Sequence, residues 1–518
     1  MQSNARICVP VCARMTGELG RVVARAARAG DVIELRLDCL EEGELARALK
    51  ELEALAGGVS LPLVFTFRPS AQGGGRDVSL DQRFTFWAAL ARARRESGIH
   101  NPAFADLELD LFESARGREL AGALEGFKLV CSHHDFGGVP SDLEVIFERM
   151  MRTPASVLKV AVTARDATDC LPVLALIGRG RREGREVIAV AMGSAGVLTR
   201  VLAPSRGSFL TYGSLDASSA TAPGQVTAEE LRDLYGVHAV NAETLVTGLV
   251  GLPVAHSLSP HMHNAAFRAL GVGGVYVPFE VANVSDFLRR MVSPRARELD
   301  WPLRGLSVTA PHKTAVLERL DWAEPRAREA GAVNTIVVEG EELRGYNTDA
   351  EAALAPLAGV LRMKGSRAAV LGSGGAARSL LLALREAGAR MTVFARRVER
   401  ARGLAEKFGA GAEGLDGASF DGFDLVVNAT PLGTRGELQN DTPATAAQLR
   451  GARVAYDLVY NPARTRFLRE AREAGCETVG GLGMLVAQAE RQFELWTGLG
   501  APAGVMRGAA EKTLAAGV

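Results

Sequence analysis

The stretch from Arg6 to Gly236 alternates eight times between short apolar strands and helical segments. Candidate strands begin with RICVPVCA and VIELRLD and end with VIAVAMG and SFLTYGS, and helical segments such as DLEVIFERMM lie between most of them. Eight such units in one stretch of this size predict a TIM-type (β/α)8 barrel. An open doubly wound sheet is the alternative, but it usually has fewer strands and a Gly-rich first turn, which this stretch lacks.

Polar residues alternate with leucines inside these strands. In VIELRLD, Glu34, Arg36 and Asp38 share one face. In FADLELD, Asp106 and Glu108 do the same. Side chains of a strand point alternately to its two faces, so a barrel would turn the polar rows inward and the leucines toward the helices. A solvated sheet face is the alternative, and the intervening helices disfavour it.

The strand SVLKVAVT carries a lysine, Lys159, among valine, leucine and alanine. Lysine is rarely buried unless it is paired or has a lowered pKa. Nearby arginines and desolvation would give a neutral amine able to attack a carbonyl, and His134, whose imidazole titrates near neutrality, would carry the proton. Arg36, Arg68 and Arg200 indicate an anionic substrate, most simply a carboxylate. Taken singly, a buried lysine pair or a lone histidine is more often structural.

Composition excludes several classes of protein. The 518 residues contain 60 Lys+Arg and 60 Asp+Glu, so charge predicts no nucleic-acid or membrane partner, and no obligate protein partner is indicated. The MQSNAR start leaves no room for a signal or transit peptide, which predicts a cytoplasmic protein. The six cysteines are scattered, and we expect reduced thiols, neither a disulfide framework nor a zinc site, and no bound metal. They are Cys8, Cys12, Cys39, Cys131, Cys170 and Cys476.

The second half of the chain follows a boundary between Val237 and Thr244 and contains a substrate lobe and a nucleotide lobe. Its clearest motif is AAVLGSGGAARSLLL, in which a strand enters a glycine-rich turn and then a helix, the setting of a dinucleotide site. The next strand ends on Arg396 and Arg397, with Arg400 one turn later, where an NAD site usually offers a carboxylate. These cations favour an NADP site, in which they would bind the 2′-phosphate. The alternative is a basic helix start that is only solvated.

Three polar signatures lie upstream of this motif, namely HSLSPHMHNAAF, LSVTAPHKTAV and GYNTDA. Ser257 and Ser259 could simply cap a helix, Lys313 could lie on the surface, and Asp349 could cap the following helix. Beside a nucleotide lobe they suit an alcohol dehydrogenase without metal, in which Lys313 and Asp349 form the proton-transfer pair.

The first half resembles the type I 3-dehydroquinate dehydratases through ELRLD, FTFR, SHHDF, LKVAV, MGSAGVLTR and TAPGQ. The resemblance implies that Lys159 forms the Schiff base and that His134 is the general acid/base. Gln72, Thr221 and Pro10 differ from the residues common in that family. The substrate-binding set implied by the resemblance is Glu34, Arg36, Arg68, Arg200, Thr221 and Gln225.

The second half resembles shikimate dehydrogenase through the signatures above and through VVNATPLGT, YDLVYNPARTRF and GGLGMLVAQAE. The resemblance implies Lys313 and Asp349 as the catalytic pair. The implied polyol-acid ligands are Ser257, Ser259, Thr309, Asn334, Tyr460 and Gln488. The implied NADP ligands are Gly372, Ser373, Gly374, Gly375, Ala376, Arg396, Arg397, Arg400 and Gly481.

Together the halves resemble the fused enzymes of plants. We expect a barrel at 1–236, a substrate lobe at 241–362 completed by 482–518, and a Rossmann-like NADP lobe at 363–481. The implied function is dehydration of 3-dehydroquinate to 3-dehydroshikimate, followed by NADPH-dependent reduction to shikimate. Two alternatives stay open: a quinate dehydrogenase in the second half, or a non-catalytic metabolite sensor.

Overall fold

The computed structural model describes residues 5–56, 59–97, 101–219, 221 and 224–516. Contacts divide the chain into two compact units, Met1–Thr244 with Val277–Val281, and Leu245–Tyr276 with Ala282–Val518. Among the described residues, no helix combines the length and the apolar character that crossing a membrane requires.

The first unit is a parallel eight-stranded barrel, as predicted. Its strands are β1 Ile7–Val11, β2 Val32–Arg36, β3 Leu63–Thr66, β4 Ala103–Glu108, β5 Lys128–Asp135, β6 Val157–Thr163, β7 Glu186–Met192 and β8 Thr211–Tyr212. Neighbours in sequence pair from β1 to β7, and β1 also pairs with β8, with Cys8 opposite Tyr212. A single bridge between Val187 and Ser208 connects β7 to the segment leading into β8, so the ring is nearly closed.

Helices follow most of the strands. They are α1 Thr16–Ala29, α2 Glu44–Lys50, α3 Leu52–Ala56, α4 Leu80–Glu96, α5 Leu109–Glu113, α6 Gly117–Ala123, α7 Leu143–Met151, α8 Cys170–Arg182 and α9 Val197–Leu202. Leu35 and Leu107 are at most 1% exposed, and the polar residues Glu34, Asp106 and Glu108 on the opposite face are at most 3% exposed. Both faces of the strands are therefore buried, and the alternative of a solvated sheet face is wrong.

The expectation that all six cysteines are reduced is wrong for two of them. Cys12, just after β1, and Cys39, shortly after β2, form a disulfide, whereas the other four cysteines are free and buried. The two residues are 27 positions apart in the chain, and pairing of β1 with β2 brings them together. Spacing in the sequence carries no sign of this contact.

The second unit begins with a mixed six-stranded sheet. Its strands are β9 Leu245–Gly251, β10 Gly274–Glu280, β11 Leu303–Val308, β12 Trp322–Ala323, β13 Thr335–Glu339 and β14 Glu342–Tyr346, in the order β10-β9-β11-β13-β14-β12. Its helices are α10 Ser259–Leu270, α11 Val284–Phe287, α12 Pro325–Ala330 and α13 Thr348–Ala352. Phe267 of α10 shares a core with Phe493, Trp496 and Met506 near the C terminus.

The second sheet of this unit is parallel and doubly wound. Its strands are β15 Arg367–Leu371, β16 Arg390–Ala395, β17 Gly411–Gly414, β18 Leu425–Asn428, β19 Val454–Asp457 and β20 Glu477–Val479, in the order β17-β16-β15-β18-β19-β20. The helices are α14 Gly375–Glu386, α15 Val398–Phe408, α16 Ala446–Leu449, α17 Arg466–Glu473, α18 Leu482–Thr497 and α19 Val505–Ala515. The strand order reverses between β15 and β18, and such a switch point is where open α/β sheets bind ligands.

Candidate active sites

Lys159 lies within β6, and its side chain is 6% exposed. Its Nζ donates to Asp106 Oδ2 at 2.8 Å and to Glu34 Oε1 at 3.3 Å. The ring centroid of Tyr212 lies 4.3 Å from the same nitrogen. The carboxylates expected inside the barrel are present, but among the contacts described for the amine none is to an arginine. A substrate must therefore replace carboxylate contacts before this amine can attack it.

Arg68 links the lysine to His134. Its Nη2 donates to Asp106 Oδ2 at 2.8 Å, and its Nη1 lies 2.9 Å from His134 Nδ1. Burial, reinforced by the charges of Arg68 and Lys159, lowers the pKa of His134 well below its ordinary value. Burial and these two cations therefore favour the neutral ring, and the role of His134 as the proton carrier stays a prediction.

Two buried carboxylates of β4 differ in their charge environment. Burial raises the pKa of Asp106, but Arg68 and Lys159 outweigh it and lower that pKa overall. Glu108 lies 3.4 Å from Arg68 and 2.9 Å from Arg83 of α4, yet burial and the neighbouring Asp106 raise its pKa to about 7. The predicted site omitted Asp106 and Glu108, although their position on the inward face was the signal that could have found them.

Arg200, on α9, is a buried cation with free donors. Its Nη1 donates to the backbone oxygen of Tyr212 at 3.1 Å, while Nε and Nη2 have no hydrogen-bond partner among the described residues. Burial lowers the pKa of its guanidinium to about 10. Buried N–H groups are normally hydrogen-bonded, so these two donors fit an anionic ligand such as a carboxylate.

The remaining predicted barrel residues lie in two local clusters. Arg36 donates to both carboxylate oxygens of Asp38, at 2.9 and 2.8 Å, and to the oxygen of Gly73. The backbone N–H of Thr221 donates to Gln225 Oε1 at 2.8 Å, and its hydroxyl lies 3.3 Å from the same oxygen. The hydrogen bonds of the Lys159 amine go to other residues, so a substrate would have to connect these clusters to it.

Lys313 and Asp349 form the central pair of the second unit. Lys313 Nζ lies 2.5 Å from Asp349 Oδ2, and Asn334 Nδ2 donates to Asp349 Oδ1 at 2.9 Å. The Lys313 side chain is 17% exposed and that of Asp349 is 7% exposed. Asn347, not Asp349, caps α13, since its side chain accepts from the N–H of Ala350. The alternatives of a surface lysine and a capping aspartate are therefore wrong.

The pair lies in a cleft of about 1110 Å³. Ser257 hydrogen-bonds Tyr460, and burial raises the pKa of that tyrosine. Ser259 is the first residue of α10, and the Ser257 hydroxyl accepts from its N–H at 3.2 Å, so the capping alternative is wrong for Ser259 only. The predicted residues that line the cleft are Ser257, Ser259, Thr309, Lys313, Asn334, Asp349, Ser373, Gly374, Gly375, Ala376, Arg400, Tyr460, Gly481 and Gln488. Lining residues that sequence reasoning missed include Arg378, Thr430, Arg435 and Asn461.

The glycine-rich turn fits a dinucleotide. Gly372 has φ +116°, and a Cβ there would lie 3.0 Å from the Ala429 oxygen, so only glycine suits the turn. A Cβ on Gly375 would lie 3.1 Å from the side chain of Lys313, which places the start of α14 against the Lys313–Asp349 pair. Apart from Gly374 and its two chain neighbours, no atom of the described residues lies within 4 Å of a Cβ built at Gly374, which leaves room for a phosphate at the helix N terminus.

Three arginines surround the start of α15. Arg396, Arg397 and Arg400 are not buried, and none forms an ion pair in the described part of the chain. Arg400 lines the cleft, whereas Arg396 and Arg397 lie outside its lining. Free guanidinium groups at the end of the second strand of the nucleotide fold suit a 2′-phosphate.

The sequence matches known families in both halves. The profile of type I 3-dehydroquinase matches residues 7–242, that of the shikimate dehydrogenase substrate binding domain matches 249–336, and that of the shikimate 5′-dehydrogenase C-terminal domain matches 481–511. A solved structure of shikimate 5-dehydrogenase from Thermus thermophilus, in complex with NADP(H) and shikimate, is 41% identical. It covers 52% of this chain and 99% of that chain, with a TM-score of 0.47.

Two named proteins are also similar in sequence to this chain. The NADP(+) shikimate dehydrogenase of Geobacter sp. strain M21 is 44% identical over 291 residues, which is 54% of this chain and 97% of that protein. The chloroplastic bifunctional 3-dehydroquinate dehydratase/shikimate dehydrogenase of Arabidopsis thaliana is 34% identical over 525 residues, covering 97% of this chain and 83% of that protein. With both halves matched in one relative and the two sites held in separate units, this chain belongs to the bifunctional 3-dehydroquinate dehydratase/shikimate dehydrogenase family.

Proposed function

We propose that the first unit dehydrates 3-dehydroquinate to 3-dehydroshikimate and that the second reduces this ketone to shikimate with NADPH. The observation that carries the proposal is the presence of two different lysine sites in one chain. Lys159 is enclosed among carboxylates and Arg68 in a barrel, whereas Lys313 contacts Asp349 beside a nucleotide-binding turn. The first suits imine chemistry and the second suits proton transfer at a carbonyl oxygen.

Dehydration begins when Lys159 attacks the substrate ketone. The free donors of Arg200 bind the substrate carboxylate and orient the ketone toward the amine. Loss of water from the adduct gives an iminium on Lys159, which withdraws electrons from the adjacent carbon. The neutral ring of His134 takes a proton from that carbon and passes it to the departing hydroxyl group, which leaves as water in a β-elimination. Hydrolysis of the iminium frees the product and Lys159.

Reduction uses the residues of the cleft as binding and proton-transfer groups. NADPH supplies the two electrons when it is bound at the glycine-rich turn. Ser257, Tyr460 and Gln488 line the cleft and bind the hydroxyl and carboxylate groups of the substrate. Lys313 gives a proton to the carbonyl oxygen as it becomes an alcohol, and Asp349 holds Lys313 in place through the 2.5 Å contact.

We further propose the domain bounds 1–236, 241–362 completed by 482–518, and 363–481. We infer a cytoplasmic location and small-molecule substrates as the binding partners, with no nucleic-acid or membrane partner. The equal numbers of acidic and basic residues support this view of the partners.

Borohydride trapping tests the imine mechanism. Incubation of the full chain with 3-dehydroquinate and borohydride should add one reduced adduct per chain, and peptide mass spectrometry should place it on Lys159. The reason is that borohydride reduces an iminium to a stable amine. No adduct, or an adduct on another lysine, would contradict the proposal.

The preference for NADPH should depend on the three arginines at the start of α15. Arg396→Ala or Arg397→Ala is expected to raise the KM for NADPH about 10-fold to 100-fold, since a hydrogen bond to a charged group contributes roughly 1.5–3 kcal/mol. The KM for NADH should change less than about twofold, because NADH lacks the 2′-phosphate. Arg402→Ala is the matched control, since Arg402 is also an exposed arginine of α15 but stands two residues after Arg400, and residues two apart on a helix face different sides. Equal losses with both cofactors would argue against a 2′-phosphate contact.

A further inference from the structure

Two segments at the ends of neighbouring strands form one wall of the cleft. We call residues 429–434, after β18, and residues 458–465, after β19, the wall segments. Ala429 and Thr430 of the first segment and Tyr460 and Asn461 of the second line the cleft. The N–H of Arg435, just after the first segment, donates to the Asn461 oxygen at 2.9 Å. The position of this wall therefore decides where Tyr460 meets a substrate.

Asp457 is the last residue of β19, and its carboxylate connects the two wall segments through hydrogen bonds. Its Oδ1 accepts from Asn428 Nδ2 at 2.9 Å and from the N–H of Val459 at 3.0 Å. Its Oδ2 accepts from the Thr465 hydroxyl at 2.5 Å. Asn428 in turn accepts from the N–H and hydroxyl of Thr430, at 3.0 and 2.6 Å. One carboxylate thus anchors both segments, although it does not line the cleft itself.

The charge of Asp457 is buried and has no cationic partner. The residue is 0% exposed, and no lysine, arginine or histidine in the described part of the chain forms an ion pair with it. The groups facing it are neutral: Asn428 from β18, Thr465 ahead of α17, and Val459 beside it. Tyr456, on its own strand, is uncharged at neutral pH because burial raises the pKa of its hydroxyl.

Burial raises the pKa of Asp457 to about 6, against the lowering effect of Thr465, Val459 and Asn428. A carboxyl whose folded pKa exceeds its unfolded pKa destabilises the fold above the folded pKa, since the folded state then loses a proton that it binds more tightly. Above about pH 6 the chain therefore keeps a charge that weakens its own fold. A buried charge that lowers the stability of the fold and lies beside a cleft is a candidate for a functional role.

We propose that Asp457 is a positioning residue of the dehydrogenase site, whose charge strengthens the hydrogen bonds that hold the two wall segments, and through them Tyr460, in the reactive arrangement. Hydrogen bonds to an ionised carboxylate are roughly twice as strong as those between neutral groups. This inference rests on the reduction proposed above.

Asp457→Asn separates the charge from the hydrogen-bond pattern. The amide oxygen can accept from Asn428 and Val459, and the amide N–H can donate to the Thr465 hydroxyl oxygen, which accepts from the N–H of Leu468 and has a second lone pair. We expect the variant to reduce dehydroshikimate about 10-fold to 100-fold more slowly above pH 7, since small misplacements in a site have effects of this size. The ratio of the wild-type rate to the variant rate should fall toward one below about pH 5, where the wild type is also neutral.

Stability provides the second measurement. The Tm of the second unit should rise by about 2–6 °C at pH 8 in Asp457→Asn, because the buried charge is gone. Dehydration by the same chain should be unchanged. A variant within twofold of the wild-type rate at every pH would overturn the proposal, and so would a folded variant whose Tm at pH 8 falls together with its rate of reduction. A wild type with no reductase activity would instead refute the proposed function.

Thr465→Val keeps the proposal testable if Asp457→Asn fails to fold. Removing one donor to the carboxylate disfavours its charged form. The acid limb of the plot of reduction rate against pH should therefore move to higher pH by about 1 unit. A loss of rate that is equal at all pH values would show that Thr465 and Asp457 act only in the scaffold.

Discussion

Replacing Lys159 with alanine is expected to abolish dehydration and leave reduction of dehydroshikimate unchanged. Without the amine no iminium forms, and removing the residue that forms a covalent intermediate lowers turnover by roughly 10⁴-fold or more. Reduction should persist because the Lys313–Asp349 pair lies in the other compact unit. Both rates can be measured on one preparation, with 3-dehydroquinate in one assay and with dehydroshikimate and NADPH in the other.

The alanine variant leaves Glu34 without its cation and Asp106 with Arg68 alone, and an unpaired buried charge destabilises a fold by about 3–5 kcal/mol. Lys159→Arg is therefore the second variant, since it keeps a positive charge beside both carboxylates and cannot form an imine. Lys128→Ala is the matched control, because Lys128 is an exposed lysine at the start of β5. Dehydration retained in Lys159→Arg, or reduction lost in a folded Lys159 variant, would contradict the division of labour.

Replacing Asp349 with asparagine is expected to lower reduction by about 10²-fold to 10⁴-fold, the contribution of a positioned general acid–base system. The change removes the charge that holds Lys313 at 2.5 Å and places an amide beside the donor Asn334. The KM for dehydroshikimate should change little, because we expect other residues that line the cleft to bind the substrate. Steady-state reduction with saturating NADPH measures both constants, and dehydration in the same sample should be normal.

Glu351→Gln provides the comparison for Asp349→Asn. Glu351 lies on the same short helix, α13, and is exposed, with ion-pair distances of 3.9 Å to Arg326 and 3.3 Å to Arg491. Its replacement should leave reduction within about twofold, since exposed ion pairs contribute at most roughly 1 kcal/mol. If both variants lost activity to the same extent, Asp349 would have no special part in the reaction.

Alternation in the sequence was sufficient to predict the barrel and the inward direction of its polar rows. Period-two patterns decide which face a residue occupies, and Glu34, Asp106 and Glu108 lie where that pattern puts them. The pattern does not decide which neighbour a side chain contacts. The amine of Lys159 on β6 contacts Asp106 on β4 and Glu34 on β2, because side chains of alternate strands meet inside a barrel.

Other features depend on contacts between distant parts of the chain. The Cys12–Cys39 disulfide arises from strand pairing over 27 residues, and no local motif marks it. The lowered pKa of His134 depends on burial and on two cations from other strands. By contrast, the glycine-rich turn before α14 was predictable, because the backbone conformation of Gly372 is one that other residues rarely adopt.

The most direct test of the whole account is the product formed when the purified chain is given 3-dehydroquinate and NADPH together. Chromatography should show shikimate as the main product, with dehydroshikimate alone accumulating when NADPH is left out. Quinate as the main product would mean that the second unit reduces the substrate of the first, and the proposed order of reactions would be wrong. Unchanged 3-dehydroquinate would contradict dehydration by the first unit, and if added dehydroshikimate also stayed unchanged, a metabolite-binding protein would be favoured.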